Sequence, residues 1–145
     1  MIEVLLVVFI MGLAGALVVM TLPPRAGRLE QVETALMANI ASAQDEAILT
    51  GQSIALQTDG RSYAFQVWSD GAWQASDLAT SSLPDGVAIT VDPTTDLPAN
   101  APEDWPDIRF DPLGETTPAT IELSSSKGAR RLTLTASGEV ARVSR

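Results

Sequence analysis

One carboxylate, Glu3, stands at the head of an apolar run that carries no further charge from Val4 to Leu22. As a helix rising about 1.5 Å per residue, that run reaches roughly 28 Å, close to the hydrocarbon thickness of a bilayer. A carboxylate at such a boundary is costly unless a cation or a donor pairs with it, which makes Glu3 a candidate for binding chemistry. In a low dielectric an ion pair is far stronger than in water. The plainer alternative leaves Glu3 hydrated among the headgroups beside the chain terminus.

Other chemistry is sparse. The chain has no histidine and no cysteine, which removes disulfides, thiolate nucleophiles and most zinc sites. Ser124, Ser125 and Ser126 have no histidine base, and no glycine-rich phosphate loop follows a strand. An enzyme is not expected, and neither is a cofactor. Residues 92–107 form a long acidic stretch with Asp92, Asp96, Glu103, Asp104, Asp107, four prolines and Trp105. Its carboxylates lack the spacing of a calcium loop, so a solvated acidic loop is the better reading and no metal is assigned. An exposed Trp105 at its tip would favour docking.

The C-terminal part reverses the charge. Lys127, Arg130, Arg131, Arg142 and Arg145 are five of the nine bases, with only Glu139 among them. On two adjoining strands they would offer contacts to DNA phosphates, lipid headgroups or an acidic partner. The simpler reading is edge-strand charge that discourages aggregation. Eighteen acids against nine bases give a net charge of −9, which argues against a global nucleic-acid-binding role without excluding a local one.

The chain divides at Pro23-Pro24 into residues 1–24, an apolar helix, and residues 25–145, one small domain. The apolar run lacks a basic leader and a small-x-small cleavage site, so a retained anchor fits better than a secretory signal. Neither proline nitrogen donates, so a kink or break is expected there. Within the run, Gly12, Gly15 and Ala16 are small enough for close helix packing in lipid. Over 28–50, Leu29, Val32, Leu36, Ile40, Ala43 and Ala47 recur at helical spacing, with Arg28, Glu30, Glu33, Gln44 and Asp45 on the other side and Gly51 as a cap.

From 53 to 145 the period is two. Ile54 and Leu56, then Tyr63, Phe65 and Val67, flank an Asp59-Gly60 turn; Asp70-Gly71 marks a second turn before Trp73. Further strands are expected around Val87–Val91, Ile108–Phe110, Ile121–Leu123 and Leu132–Leu134, with Ser137-Gly138 turning into Val140–Val143. The expected fold is α+β: a long N-terminal helical spine, its first half in the membrane, packed on antiparallel sheet.

The run Ile2-Glu3-Val4-Leu5-Leu6-Val7-Val8, continuing Phe9-Ile10-Met11-Gly12-Leu13-Ala14-Gly15, closely resembles the N-terminus of type IV pilins and type II secretion pseudopilins. Glu46-Ala47-Ile48-Leu49-Thr50-Gly51-Gln52-Ser53-Ile54-Ala55-Leu56 and Ile108-Arg109-Phe110-Asp111-Pro112-Leu113-Gly114 resemble the GspH-type minor pseudopilins, as do Arg131-Leu132-Thr133-Leu134 and Ser137-Gly138-Glu139-Val140. Glu3 matches the family's N-terminal glutamate, which the resemblance implies pairs with the terminal amine of a neighbouring subunit during assembly. It further implies a subunit near the tip of a type II secretion pseudopilus, single-pass in the bacterial inner membrane with its domain in the periplasm, supporting protein export across the outer membrane. The implied partners are the other minor pseudopilins, the major one, and a prepilin peptidase that cleaves and N-methylates the chain.

The family's cleavage-site glycine and first two mature residues do not precede Met1, and Arg25 and Arg28 follow the span with no base before it. By the positive-inside rule a basic leader upstream would restore the periplasmic orientation, so in-frame codons ending Gly-Phe-Thr are expected. Two rivals remain open. One is a minor pilin of a type IV pilus or DNA-uptake machine, binding DNA through the basic C-terminus. The other is a tethered binding module that never polymerises and for which Glu3 is dispensable.

Overall fold

Residues Ile2–Thr21 form helix α1, with Glu3 in its first turn. The computed structural model describes residues 1–21, 27–78, 80–95, 101 and 105–143, and of residues 12–21 only the helical backbone. All side chains from Met1 to Met11 are exposed. Among the described residues no helix is long and apolar enough to cross a membrane; the expected span runs past Met11 and so lies partly outside them. The Pro23-Pro24 break also lies outside the described residues.

Helix α2, Arg28–Thr50, buries Val32, Leu36, Ile40, Ala43 and Ala47, a stripe set by their three- and four-residue spacing. Gly51 ends it with φ 68° and donates its N–H to Ala47 O at 3.0 Å. A left-handed cap of this kind suits glycine because no Cβ meets the preceding carbonyl. One residue breaks the expected pattern: Glu33, anticipated on the polar side, is buried with the stripe.

The β-strands form two antiparallel sheets rather than one. The first contains β1 (Ile54–Thr58), β2 (Ser62–Ser69), β3 (Ala72–Ala75), the short β4 (Ser81–Ser82) and β6 (Ile108–Phe110), in the order β3-β2-β1-β6 with β4 beside β2. The second contains β5 (Val87–Pro93), β7 (Ala119–Ser125), β8 (Gly128–Leu134) and β9 (Val140–Val143), in the order β5-β7-β8-β9. Pro84-Asp85-Gly86 leads from β4 of the first sheet into β5 of the second, and Ile89 N–H reaches back to Gly60 O at 3.1 Å. Strand β4 carries no apolar alternation, which is why its sequence gives no strand signal.

Both turns expected in the first sheet are present. Asp59 accepts the N–H groups of Arg61 and Ser62 at 2.8 and 2.6 Å, and these bonds hold its carboxyl below its ordinary pKa. Asp70 and Gly71 both have positive φ, 54° and 79°, as a tight two-residue hairpin requires. The inner faces of the two sheets meet α2 in one core that includes Leu36, Ile40, Phe65, Phe110, Ile121 and Leu132.

The β8–β9 turn is fastened to α2 by Gln44, whose Nε2 donates to Gly138 O at 2.6 Å. Gly138 has φ 82°, and a Cβ there would meet Gln44 Nε2 at 2.6 Å. Gly138→Ala therefore combines backbone strain with loss of this fastening, and an expected cost of about 1–3 kcal/mol is read by urea denaturation. A cost below the error of that measurement would mean the turn is free to shift.

Candidate functional site

Sheet geometry sorts the C-terminal bases. Side chains alternate across a strand, so Arg130 shares the α2-facing side of β8 with Leu132 and Leu134. In the β8–β9 register Arg142 lies opposite Leu132, and Val140 opposite Leu134, which puts Arg142 on that same side. Both guanidinium groups converge on Glu33. Arg142 Nε lies 2.6 Å from Glu33 Oε1, and Arg130 Nη1 lies 3.2 Å from Oε2. Glu33 is 1% exposed, whereas Arg130 and Arg142 are 42% and 53% exposed at the side chain.

The two contacts differ in kind. Glu33 Oε2 has no hydrogen-bond partner, so the approach of Arg130 is coulombic rather than a directed bond. A buried carboxylate is tolerable only with close compensation, and here two charges supply it while keeping their outer N–H groups in water. The cluster ties helix α2 to the last two strands.

Of the bases singled out in the sequence, Arg130, Arg131 and Arg142 thus fall on both faces of the β8–β9 pair, each facing a carboxylate. Arg131 points to the opposite face of β8, where its Nη2 meets Glu122 Oε2 at 2.8 Å across the β7–β8 pair. Lys127 is exposed in the β7–β8 turn, where its N–H donates to Ser125 Oγ at 3.3 Å. Arg145 lies outside the described residues. Within the C-terminal segment only Glu139 opposes these bases, whereas in the fold Glu33 and Glu122 do so from α2 and β7. A signal was available: Glu33 stands four residues after Leu29 and three before Leu36, inside the stripe, while Arg130 and Arg142 run in phase with core residues of their strands.

Bases and acids line an open groove of about 1110 Å³ between the start of α2 and strands β8 and β9. Arg28, Lys127, Arg130, Arg131 and Arg142 contribute to it, as do Glu30, Glu33, Asp85 and Glu122. At one side Arg28 Nη1 donates to Asp85 O at 3.4 Å.

The acidic stretch is only partly described; Asp96, Glu103 and Asp104 lie outside the described residues. Asp107 is half-buried and its Oδ2 accepts Thr58 N–H at 2.9 Å, fastening the end of the stretch to β1. Burial pushes its carboxyl above the ordinary value, and the Thr58 bond partly offsets that. With a raised folded-state pKa, the native state binds the proton more tightly than the unfolded chain does. Asp107 thus favours folding most below the unfolded value near 3.8, and this contribution fades as pH rises through the folded value. Asp107→Asn keeps an acceptor for Thr58 without the charge. It is expected to be neutral or slightly stabilising at neutral pH, by less than about 1 kcal/mol, and to flatten acid-range stability. A clear loss of stability at neutral pH would show that the ionised form is required. Trp105 is half-buried rather than free, with the Arg109 guanidinium 5.9 Å from its ring centre.

Glu3 occupies the exposed first turn of α1, and of Gly12, Gly15 and Ala16 only the helical backbone is described, so their packing lies outside the described residues. Among the described residues no group of histidine, cysteine, aspartate or glutamate gathers as a metal site.

The fold has solved counterparts. The minor pseudopilin EpsH from the type 2 secretion system of Vibrio cholerae superposes with a TM-score of 0.66 at 18% identity, covering 81% of this chain and 96% of that one. E. coli GspH gives 0.63 at 16% identity, covering 80% and 87%. The type IV minor pilin FimU of Pseudomonas aeruginosa gives 0.59 at 16% identity, covering 80% and 88%. At such identities the likeness establishes a shared pilin-like α+β fold. No curated protein matches by sequence. A family model described as type II transport protein GspH matches residues 34–138, from the first turns of α2 to the turn before β9. Since that match spans most of the chain and the fold agrees with it, the chain belongs to the GspH family, the GspH-type minor pseudopilins.

Proposed function

We propose that the chain is a structural subunit near the tip of a type II secretion pseudopilus, supporting protein export across the outer membrane. The observation that carries this reading is the family match over 34–138, joined to an N-terminal helix that opens with an exposed Glu3. In this reading α1 is a single-pass anchor in the bacterial inner membrane and residues 25–145 stand in the periplasm. Glu3 pairs with the terminal amine of a neighbouring subunit, and Gly12, Gly15 and Ala16 let neighbouring helices pack closely. The partners are the other minor pseudopilins and the major one, and a prepilin peptidase processes and methylates the chain. The work is mechanical and needs no enzyme activity.

Glu3→Ala tests the assembly step. In a strain lacking the native gene, the wild-type chain is expected to restore secretion, while the variant stays in the membrane fraction and restores little. Full secretion with Glu3→Ala would remove Glu3 from assembly and favour a tethered module instead.

The likeness to FimU, a type IV minor pilin, favours a second reading as a minor pilin, in which the basic C-terminus of this chain would contact DNA. Against it, the family model that matches residues 34–138 is described as a type II transport protein. Salt-sensitive DNA binding that is lost on replacing Arg142 and Arg145 would favour this second reading.

A further inference from the structure

We propose that the groove between the start of α2 and strands β8 and β9 receives the phosphates of anionic lipid headgroups, seating the domain on the leaflet from which α1 emerges. The inference rests on the membrane-anchored reading above.

Position is the first argument. Gly27 and Arg28 line the groove, and Gly27 follows Thr21, the last residue of α1, by six positions. Even a fully extended chain of that length spans only about 20 Å, so the groove stays close to wherever α1 ends. Charge is the second. Five bases and four acids line the groove, a net charge of +1 on a chain of net −9, so the remainder of the chain sums to −10. The excess sits in the ion-paired cluster, where Arg130, Arg131 and Arg142 face only Glu33 and Glu122.

Donor geometry is the third. A guanidinium carries five N–H donors in a fixed fork, and Arg142 commits only its Nε side to Glu33. Held by the buried carboxylate, Arg130 and Arg142 lose little further side-chain freedom when a phosphate arrives, which is the benefit of preorganisation. Lys127 adds an exposed ammonium at the groove rim. Basic groups at a membrane surface gain from its negative potential within about a Debye length, roughly 8–10 Å.

The test uses the full chain, which has no native cysteine. A fluorophore on Ser126→Cys, in the exposed turn beside Lys127, reports contact with nitroxide-headgroup lipid in nanodiscs. One set of discs is phosphatidylcholine alone and the other equal parts phosphatidylcholine and phosphatidylglycerol. Quenching is expected to be stronger in the mixed discs, to fall with salt, and to drop about fivefold in contact population with Lys127→Gln. Insertion into both discs with equal quenching, unmoved by salt or Lys127→Gln, overturns the inference alone and leaves the groove for an acidic protein partner. Failure to insert into either disc overturns the anchored reading and this inference with it.

Discussion

Replacing Arg130 and Arg142 together by alanine is expected to cost about 3–5 kcal/mol of folding stability, because Glu33 is left as a buried charge without compensation. Removing the carboxylate instead should cost less. In Glu33→Ala both guanidinium groups lose their partner, yet each is about half exposed and can be rehydrated, so about 1–3 kcal/mol is expected after allowing for solvent screening. The asymmetry is the diagnostic. It follows from where the burial falls: on the acid, at 1% exposure, and not on the bases. Combining all three changes should cost less than the double arginine change, since the stranded charge is gone. Urea denaturation of the four proteins measures this. Equal losses for Glu33→Ala and the double variant would mean that water reaches Glu33 and the cluster is a surface ion pair.

Phe110→Ala is the second large effect, with about 3–5 kcal/mol expected. Phe110 is 1% exposed and ends the three-residue strand β6, where it lies opposite Ile54 and bridges to Thr116. Deleting its ring opens a cavity between α2 and the first sheet, and so short a strand has few other contacts with which to close it. Leu113, three residues on and 89% exposed, supplies the control: Leu113→Ala should stay within about 0.5 kcal/mol of the parent. A similar loss at both positions would contradict the assignment of Phe110 to the core.

How much of this was legible beforehand depended on whether the relevant interaction was local. Helix α2 was readable because Val32, Leu36, Ile40, Ala43 and Ala47 advertise a buried face through spacing alone. The strands around Phe65, Ile89, Ile121 and Leu132 were readable through period-two alternation, and Asp59-Gly60 and Asp70-Gly71 through turn chemistry. What failed was long-range. A charged residue within an apolar stripe looks like solvent face unless its counter-charges are known, and those of Glu33 come from β8 and β9, at the far end of the chain. The same blindness made Arg131 seem to join Arg130 and Arg142, although alternation sends neighbouring residues 130 and 131 to opposite faces. The division into two sheets was also hidden, because strand patterns do not announce their partners.

These observations converge on a mechanical picture. On the proposed reading the Glu3 carboxylate at the tip of α1 is offered to a neighbouring subunit, while the domain is stiffened where α2 meets the last strands. If α1 is the anchor, a load passed to α2 reaches the second sheet through the Glu33 cluster and the Gln44–Gly138 bond as well as through the core. Stability variants such as Gly138→Ala should then impair secretion only to the extent that they unfold the domain. Glu3→Ala should impair it in a fully folded protein, and circular dichroism of the membrane-extracted chain separates the two cases.

The most direct measurement is the location of the chain itself. Epitope-tagged protein, expressed at native level with the remaining secretion genes intact and the major pseudopilin overproduced, can be followed by immunogold electron microscopy on the resulting filaments. Label is expected at one end of the filaments and none along their length, with the end label lost in Glu3→Ala. Label confined to the cell membrane, never on a filament with native Glu3 in place, would contradict it.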